Sequence, residues 1–208
     1  MPDAVTVGAA LLVAGPVIAA LCLMNPGFFR VWSMPRLEHL AFVAAHRRAW
    51  RMVNLGFVVA TVLTGAGLSA LSVTPDLAGR SGAILAGGTF AYGIAGALWC
   101  AVLAIRNRTT PLLAELVAGG QPTEPAEAVL GAALGGLFGV FVLTMGAAII
   151  AIAVGLATGG AVAAPVAVLA GLIAAAGIAA QILTGDTVPA VLYVPTLLLG
   201  LALLVGWS

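Results

Sequence analysis

The sequence predicts an all-α fold, a polytopic integral membrane protein in which six transmembrane helices form one bundle. Of its 208 residues, 62% are hydrophobic and only 7% are charged. Ordinary soluble domains carry about 25% charged residues. A chain this poor in charge cannot cover itself with a polar surface, whereas hydrocarbon accepts apolar side chains on the outside of a fold. The mean hydropathy of +1.20 agrees with this interpretation.

Six apolar runs are long enough to cross a bilayer, which takes roughly 20 residues for about 30 Å of hydrocarbon. They cover, approximately, residues 4–24, 52–73, 81–105, 127–156, 161–183 and 187–207. Continuous runs of this length are typical of helices, because a backbone in hydrocarbon must satisfy its own hydrogen bonds. No basic segment precedes the first run, which indicates a permanent span rather than a cleaved signal peptide. Residues 1–208 are thus predicted to form a single membrane domain.

The first long connection, residues 25–51, is predicted to contain a helix over residues 35–51. Ser33 can cap its start, Pro35 suits its first turn, and Glu38 complements the positive end of the helix dipole. Apolar residues then recur at helical spacing. The pattern is compatible with a helix on the membrane surface and with one that continues into the second span.

The second long connection, residues 106–126, is predicted to hold a short amphipathic helix over residues 109–117. After it, Thr123 is the expected N-cap of the fourth span, and Glu124 and Glu127 fall in the first turns. Acidic side chains are favourable there by a few tenths to about 1 kcal/mol. Helix chemistry therefore accounts for both glutamates, and a catalytic carboxylate pair is the weaker interpretation.

The placement of arginine predicts the orientation. All eight basic residues are arginines, and seven lie in the two long connections, while Arg80 alone lies on the opposite side. Because cytoplasmic loops carry the excess of basic residues, both connections are expected in the cytoplasm and both termini outside it. The use of arginine without lysine favours a GC-rich bacterium, and hence its plasma membrane. The seven residues are Arg30, Arg36, Arg47, Arg48, Arg51, Arg106 and Arg108.

The densest basic stretch is AAHRRAWRMVN at residues 44–54, which contains Arg47, Arg48 and Arg51. Together with Arg106 and Arg108, we interpret these arginines as topology determinants that contact anionic headgroups. A specific site built from them is the alternative. The net charge of +1 is too small to predict a nucleic-acid partner.

Tryptophan positions are consistent with this topology. Trp32, Trp50 and Trp99 fall at the predicted cytoplasmic boundaries, and Trp207 falls at the outer one. Tryptophan favours this depth because its ring is apolar while its N–H needs a polar partner.

Small residues are expected to hold the helices together, since burial alone does not drive association in lipid. The fourth span has overlapping GxxxG steps at Gly131, Gly135 and Gly139, and the third has a stripe that includes Gly82 and Gly93. We expect these glycines to fill internal seams rather than to form a dimer interface. The isolated cysteines, Cys22 and Cys100, are interpreted as small packing residues.

Side chains able to carry chemistry are sparse, and neither a cofactor nor a metal is predicted. His39 and His46 are seven residues apart, or about 10.5 Å along a helix, too far to share one metal ion. No span has an ionisable residue in its central turns. Hydroxyl groups within the spans, such as those of Thr61 and Tyr193, are expected to be structural.

Three classes of function remain. We expect a non-catalytic subunit, scaffold or assembly partner in a membrane complex, with the bilayer, other membrane subunits or a second copy as partners. The alternative is a facilitator or transporter component for a small neutral or lipophilic solute. A more remote alternative is a membrane enzyme whose site lies at the cytoplasmic rim, assembled from His39, His46, Glu38 and the arginines. A packed interior with an exposed small-residue groove would favour the first class, and a polar cavity the second.

Overall fold

The computed structural model describes residues 3–25, 30–31, 34–74 and 79–206, and these residues form helices and connections without strands. Within these described ranges seven α-helices follow one another, with a 3-10 turn at Pro189–Leu192 before the last. They are α1 (Ala4–Leu23), α2 (Arg36–Ala45), α3 (Arg47–Ser72), α4 (Arg80–Ala118), α5 (Glu124–Thr158), α6 (Ala164–Thr184) and α7 (Tyr193–Val205).

Five helices, α1 and α3 to α6, are long and apolar enough to cross a membrane, so the chain has the architecture of a multi-pass membrane protein. The predicted sixth span, near residues 187–207, is a shorter apolar segment, Pro189–Val205. Its first four residues form the 3-10 turn, and α7 adds 13 residues. Pro189 and Pro195 lack the N–H group that continues an α-helix, which accounts for the irregular start.

The six apolar segments close into a ring in the order α1, α3, α4, α5, α6, α7, in which each packs against the next and α7 returns to α1. Large side chains fill the interior. The Trp99 ring stacks on Phe141 with centroids 4.9 Å apart, and Phe57 meets Trp99 edge-on at 6.2 Å. Trp99 is therefore a core residue that is only 1% exposed. Trp50 is also buried, with 3% of its surface exposed.

The rings of both tryptophans pack against other helices, and their depth at the membrane boundary stays a prediction. Trp32 and Trp207 lie outside the described residues. Cys22 and Cys100 are half-buried free thiols, in keeping with their interpretation as small packing residues.

Two helices are much longer than a bilayer requires. α4 has 39 residues and α5 has 35, which at 1.5 Å per residue gives about 58 and about 52 Å. The separate helix expected over 109–117 is instead the last part of α4, which continues through Pro111. The predicted helix over 35–51 is, conversely, divided at His46 into α2 and the first turn of α3. The Ser33 cap lies outside the described residues.

Several glycines permit close helix contacts, although the overlapping GxxxG glycines of the fourth span are not among them. A Cβ atom on Gly88 would lie 3.0 Å from the backbone nitrogen of Ile152, and one on Gly200 would lie 2.8 Å from Leu12 Cβ. The same close approach is found at Gly8, Gly15, Gly67, Gly146 and Gly155.

The expectation that Gly131, Gly135 and Gly93 fill seams within the bundle is wrong, because a Cβ at any of them would have no other atom of the chain within 4 Å. Gly139 faces only the Gln181 side chain, 3.7 Å away, and Gly82 is half-buried. The reason lies in the lengths of the helices. α6 ends at Thr184, one turn after Gln181, so no residue of α6 remains opposite Gly131.

Candidate functional site

The arginine-rich end of the bundle is the end at which α1 and α6 finish and at which α3 and α5 begin. There α2, the first turns of α3 and α5 and the last turns of α4 project beyond the ends of α1 and α6. This layer brings together basic residues that the sequence singled out, among them Arg36, Arg47, Arg48, Arg51, Arg106 and Arg108.

An ion pair joins α2 to α5. The Arg36 guanidinium donates through Nε and Nη2 to the two carboxylate oxygens of Glu127, and Nη2 also donates to Thr123 Oγ1 at 2.7 Å. The carboxylate raises the pKa of Arg36. Thr123 stands at the N-cap position of α5 as expected, but its hydroxyl accepts from Arg36 and does not cap the helix.

A second ion pair joins α3 to α4, from Arg47 Nη1 to the carboxylate of Glu115. Arg47 thus has a protein partner, although 42% of its side chain is exposed. Arg48 is exposed, and Arg51 and Arg108 line a polar cleft of 220 Å³. The arrangement spreads these side chains over the surface rather than directing them to one point.

The two histidines do not form a pair. His46 ends α2, with Nδ1 donating to the carbonyl oxygen of Phe42 at 2.9 Å and its ring stacked on Phe42. The ring of His39 meets Trp50 edge-on at 5.7 Å. Burial, and then the charge of Arg106, lower the pKa of His39.

A recess of about 620 Å³ opens beside this layer, where α6 has ended and the α6–α7 connection turns back. α1, α4 and α5 supply the other walls. Its lining is mainly apolar, with Arg106, Asp186 and Thr187 as the polar exceptions. The lining residues are Leu23, Val102, Arg106, Leu134, Gly135, Phe138, Gly185, Asp186, Thr187, Val188, Pro189 and Ala190.

Arg106 lies in the wall of the recess and not on the outer surface. Its Cζ is 5.6 Å from the centroid of the Trp50 ring, close enough for a cation–π interaction. The expected role of Arg106 as a plain topology residue is therefore incomplete. The sequence carried a signal for this position, since Trp99, Val102 and Arg106 recur at helical spacing on the buried face of α4.

Asp186 stands on a hydrogen-bonded turn across the recess, a position that the sequence did not reveal as a site. Gly185 ends α6 in the left-handed region, with φ 72°. Asp186 Oδ1 accepts from the backbone N–H of Thr187 at 2.8 Å, and the Thr187 hydroxyl donates to the carbonyl oxygen of Gly177 at 3.1 Å.

An aromatic cluster separates the recess from the middle of the bundle. Phe138 lines the recess and packs against Trp99 and Phe141, with ring centroids 5.8 and 5.7 Å away. Beyond the cluster, the hydroxyl groups of Thr61 and Tyr193 hydrogen-bond to each other at 2.8 Å. The interior on that side is filled by side chains.

Within the described part of the chain, no three His, Cys, Asp or Glu residues come together in a group that could hold a metal ion. Comparison of the chain with known proteins gives no significant match to a protein-family model, a curated protein or a solved structure.

Proposed function

We propose that this chain is a non-catalytic subunit of a membrane complex, and that the outward face of α4 is where it contacts a transmembrane helix of its partner. In this proposal the protein lies in a bacterial plasma membrane with its arginine-rich end in the cytoplasm. The positive-inside rule supports that orientation, because the described arginines of the two long connections lie at this end.

The observation that carries the proposal is a contrast between two exposed helix faces. On α6 the exposed face includes five large side chains, which are suited to lipid: Val168, Leu169, Leu172, Ile182 and Leu183. On α4 the exposed face over residues 83–104 consists mainly of small residues, with Phe90, 72% exposed, and Ile94, 46% exposed, as its two large side chains. The small residues include Ala86, Gly93, Ala97 and Ala101.

Small residues let two helix backbones approach closely in a membrane, where van der Waals packing replaces the hydrophobic effect as the main attraction. Within this chain the α4 face has no such neighbour, since a Cβ on Gly93 would find nothing within 4 Å. Phe90 lies about one turn away on the same face and supplies apolar contact area.

The packing of the bundle supports a contact role over transport. The recess at the arginine-rich end is the feature that favours the alternative, a facilitator for a lipophilic solute. A path from it across the bundle would have to pass Phe138, Trp99 and Phe141, whose rings are in mutual contact. Catalysis receives no support from the histidines, which contact different aromatic rings, His39 that of Trp50 and His46 that of Phe42.

Photo-crosslinking in native membranes tests the proposal. A photoreactive residue at position 93 is expected to give a discrete protein adduct, whereas the same group at position 172 on the α6 face gives lipid adducts. Phe90→Ala is expected to reduce the adduct at position 93 without lowering the melting temperature. Equal labelling of lipid at both positions, with no protein adduct, would show that the α4 face is a lipid contact.

A further inference from the structure

Independently of the α4 face, we propose that the recess at the arginine-rich end binds the headgroup of a zwitterionic aminophospholipid of the phosphatidylethanolamine class. The phosphate is held at Arg106, the ammonium group at Asp186, and the first part of the acyl chains lies along the apolar wall. None of the residues in this site belongs to the proposed partner face.

The depth of the recess matches the headgroup region. α1 and α6 have 20 and 21 residues, which makes them about 30 Å long, the thickness of the hydrocarbon core. Leu23 is the last residue of α1, and Gly185 follows the last residue of α6; both line the recess. The recess therefore lies where acyl chains give way to phosphates.

The lining has the composition of a site for an amphiphile. A volume of about 620 Å³ is within the range of small-molecule pockets. The side chains of Leu134, Phe138 and Val102 provide apolar contact. Gly135 has no side chain to project into the recess, and a Cβ there would have no other atom within 4 Å. The headgroup and the adjoining glycerol can occupy the recess while the chain ends remain in the bilayer.

The charges in the lining select the headgroup. A guanidinium can donate two parallel hydrogen bonds to a phosphate, and Trp50 holds the Arg106 side chain from behind. Asp186, the acidic residue of the lining, opposes a purely anionic lipid but accepts hydrogen bonds from a primary ammonium group. The Thr187 hydroxyl already donates to Gly177, so the two charged side chains decide the specificity.

Hydrogen bonds within the chain hold the turn that carries Asp186. The Asp186 N–H donates to the Thr184 hydroxyl at 3.2 Å, and the Asp186 carboxylate accepts from Thr187 N–H. One carboxylate oxygen, Oδ1, has this bond, and the other is available to an ammonium group. Preorganisation of this kind lowers the entropic cost of binding.

The test is native mass spectrometry of the full chain released from nanodiscs that contain equal amounts of phosphatidylethanolamine, phosphatidylglycerol and phosphatidylcholine. We expect the wild type to retain phosphatidylethanolamine about tenfold over either competitor, the ratio that one charge-assisted hydrogen bond provides. Phosphatidylcholine is the matched probe, because it has the same phosphate but a trimethylated ammonium without N–H donors.

Variants separate the two contacts. Asp186→Asn keeps an oxygen for the Thr187 N–H and is expected to abolish the preference for phosphatidylethanolamine over phosphatidylglycerol. Arg106→Gln is expected to reduce retention of all three lipids, and Asp186→Asn still tests the proposal if that variant fails to fold. Glu38→Gln, exposed and outside the recess, is the control. Equal retention of the three lipids by the wild type, or an unchanged preference in Asp186→Asn, would overturn the proposal.

Discussion

Gly155 of α5 lies against the backbone of Leu85 in α4, where an added Cβ would come within 2.9 Å of the Leu85 nitrogen and 3.1 Å of its Cα. Backbone atoms cannot move aside as a flexible side chain can. Gly155→Ala is therefore expected to push α4 and α5 apart and to lower the free energy of unfolding by about 1–3 kcal/mol, the usual cost of overpacking. Thermal unfolding in mild detergent measures this loss.

Gly135→Ala is the matched control on the same helix. A Cβ at Gly135 would meet no atom within 4 Å. Alanine is the better helix former by up to about 1 kcal/mol. We expect this variant to melt at or above the wild-type temperature. Equal destabilisation by both substitutions would mean that the α4–α5 seam is not where the structure places it.

The hydrogen bond between Tyr193 and Thr61 is expected to contribute modestly to stability. Thr61 Oγ1 donates to the carbonyl oxygen of Phe57 at 2.8 Å, so the Tyr193 hydroxyl is the donor to Thr61. Tyr193→Phe should cost roughly 0.6 kcal/mol, the average for such bonds between membrane helices. A double-mutant cycle with Thr61→Val measures the coupling, and a coupling energy of zero would refute the assigned bond.

The Arg36–Glu127 pair is expected to restrain α2 without contributing much to global stability. Both side chains are partly exposed, at 43% and 20%, and solvent screens pairs of this kind. Glu127→Gln should increase amide hydrogen exchange in α2 while the melting temperature stays near the wild-type value. Glu115→Gln, which removes the partner of Arg47, is the control and should leave exchange in α2 unchanged.

Hydropathy and length were sufficient to predict the all-helical architecture and five of the spans, because they report which solvent a segment prefers. They do not report where a helix ends. Arg106 and Arg108 are polar but form helices well, so α4 continues through the predicted connection. At His46 the ring contacts Phe42 and its carbonyl oxygen, a local arrangement that periodicity does not reveal.

Glycine spacing predicted that small residues matter but not which way they face. On α5, Phe141, Val142 and Met145 are buried, and these larger side chains decide the rotation of the helix. Gly131 and Gly135, in addition, lie beyond the end of α6. The recess was equally hidden from the sequence, since it is formed by Arg106 and Asp186, 80 positions apart in the chain.

His39 is expected to make the stability of the protein depend on pH. Burial and the nearby charge of Arg106 lower its pKa below the ordinary value of 6.5. Between the lowered value and 6.5 the unfolded chain binds more protons than the folded one, so stability falls as pH decreases through this window and is fully present above it.

Melting temperatures measured from about pH 7.5 to about pH 5 should show this decline, and His39→Gln should reduce its slope. His46→Gln is the control, because that ring is exposed at the end of α2. An identical slope in wild type and His39→Gln would mean that other groups govern the acid response.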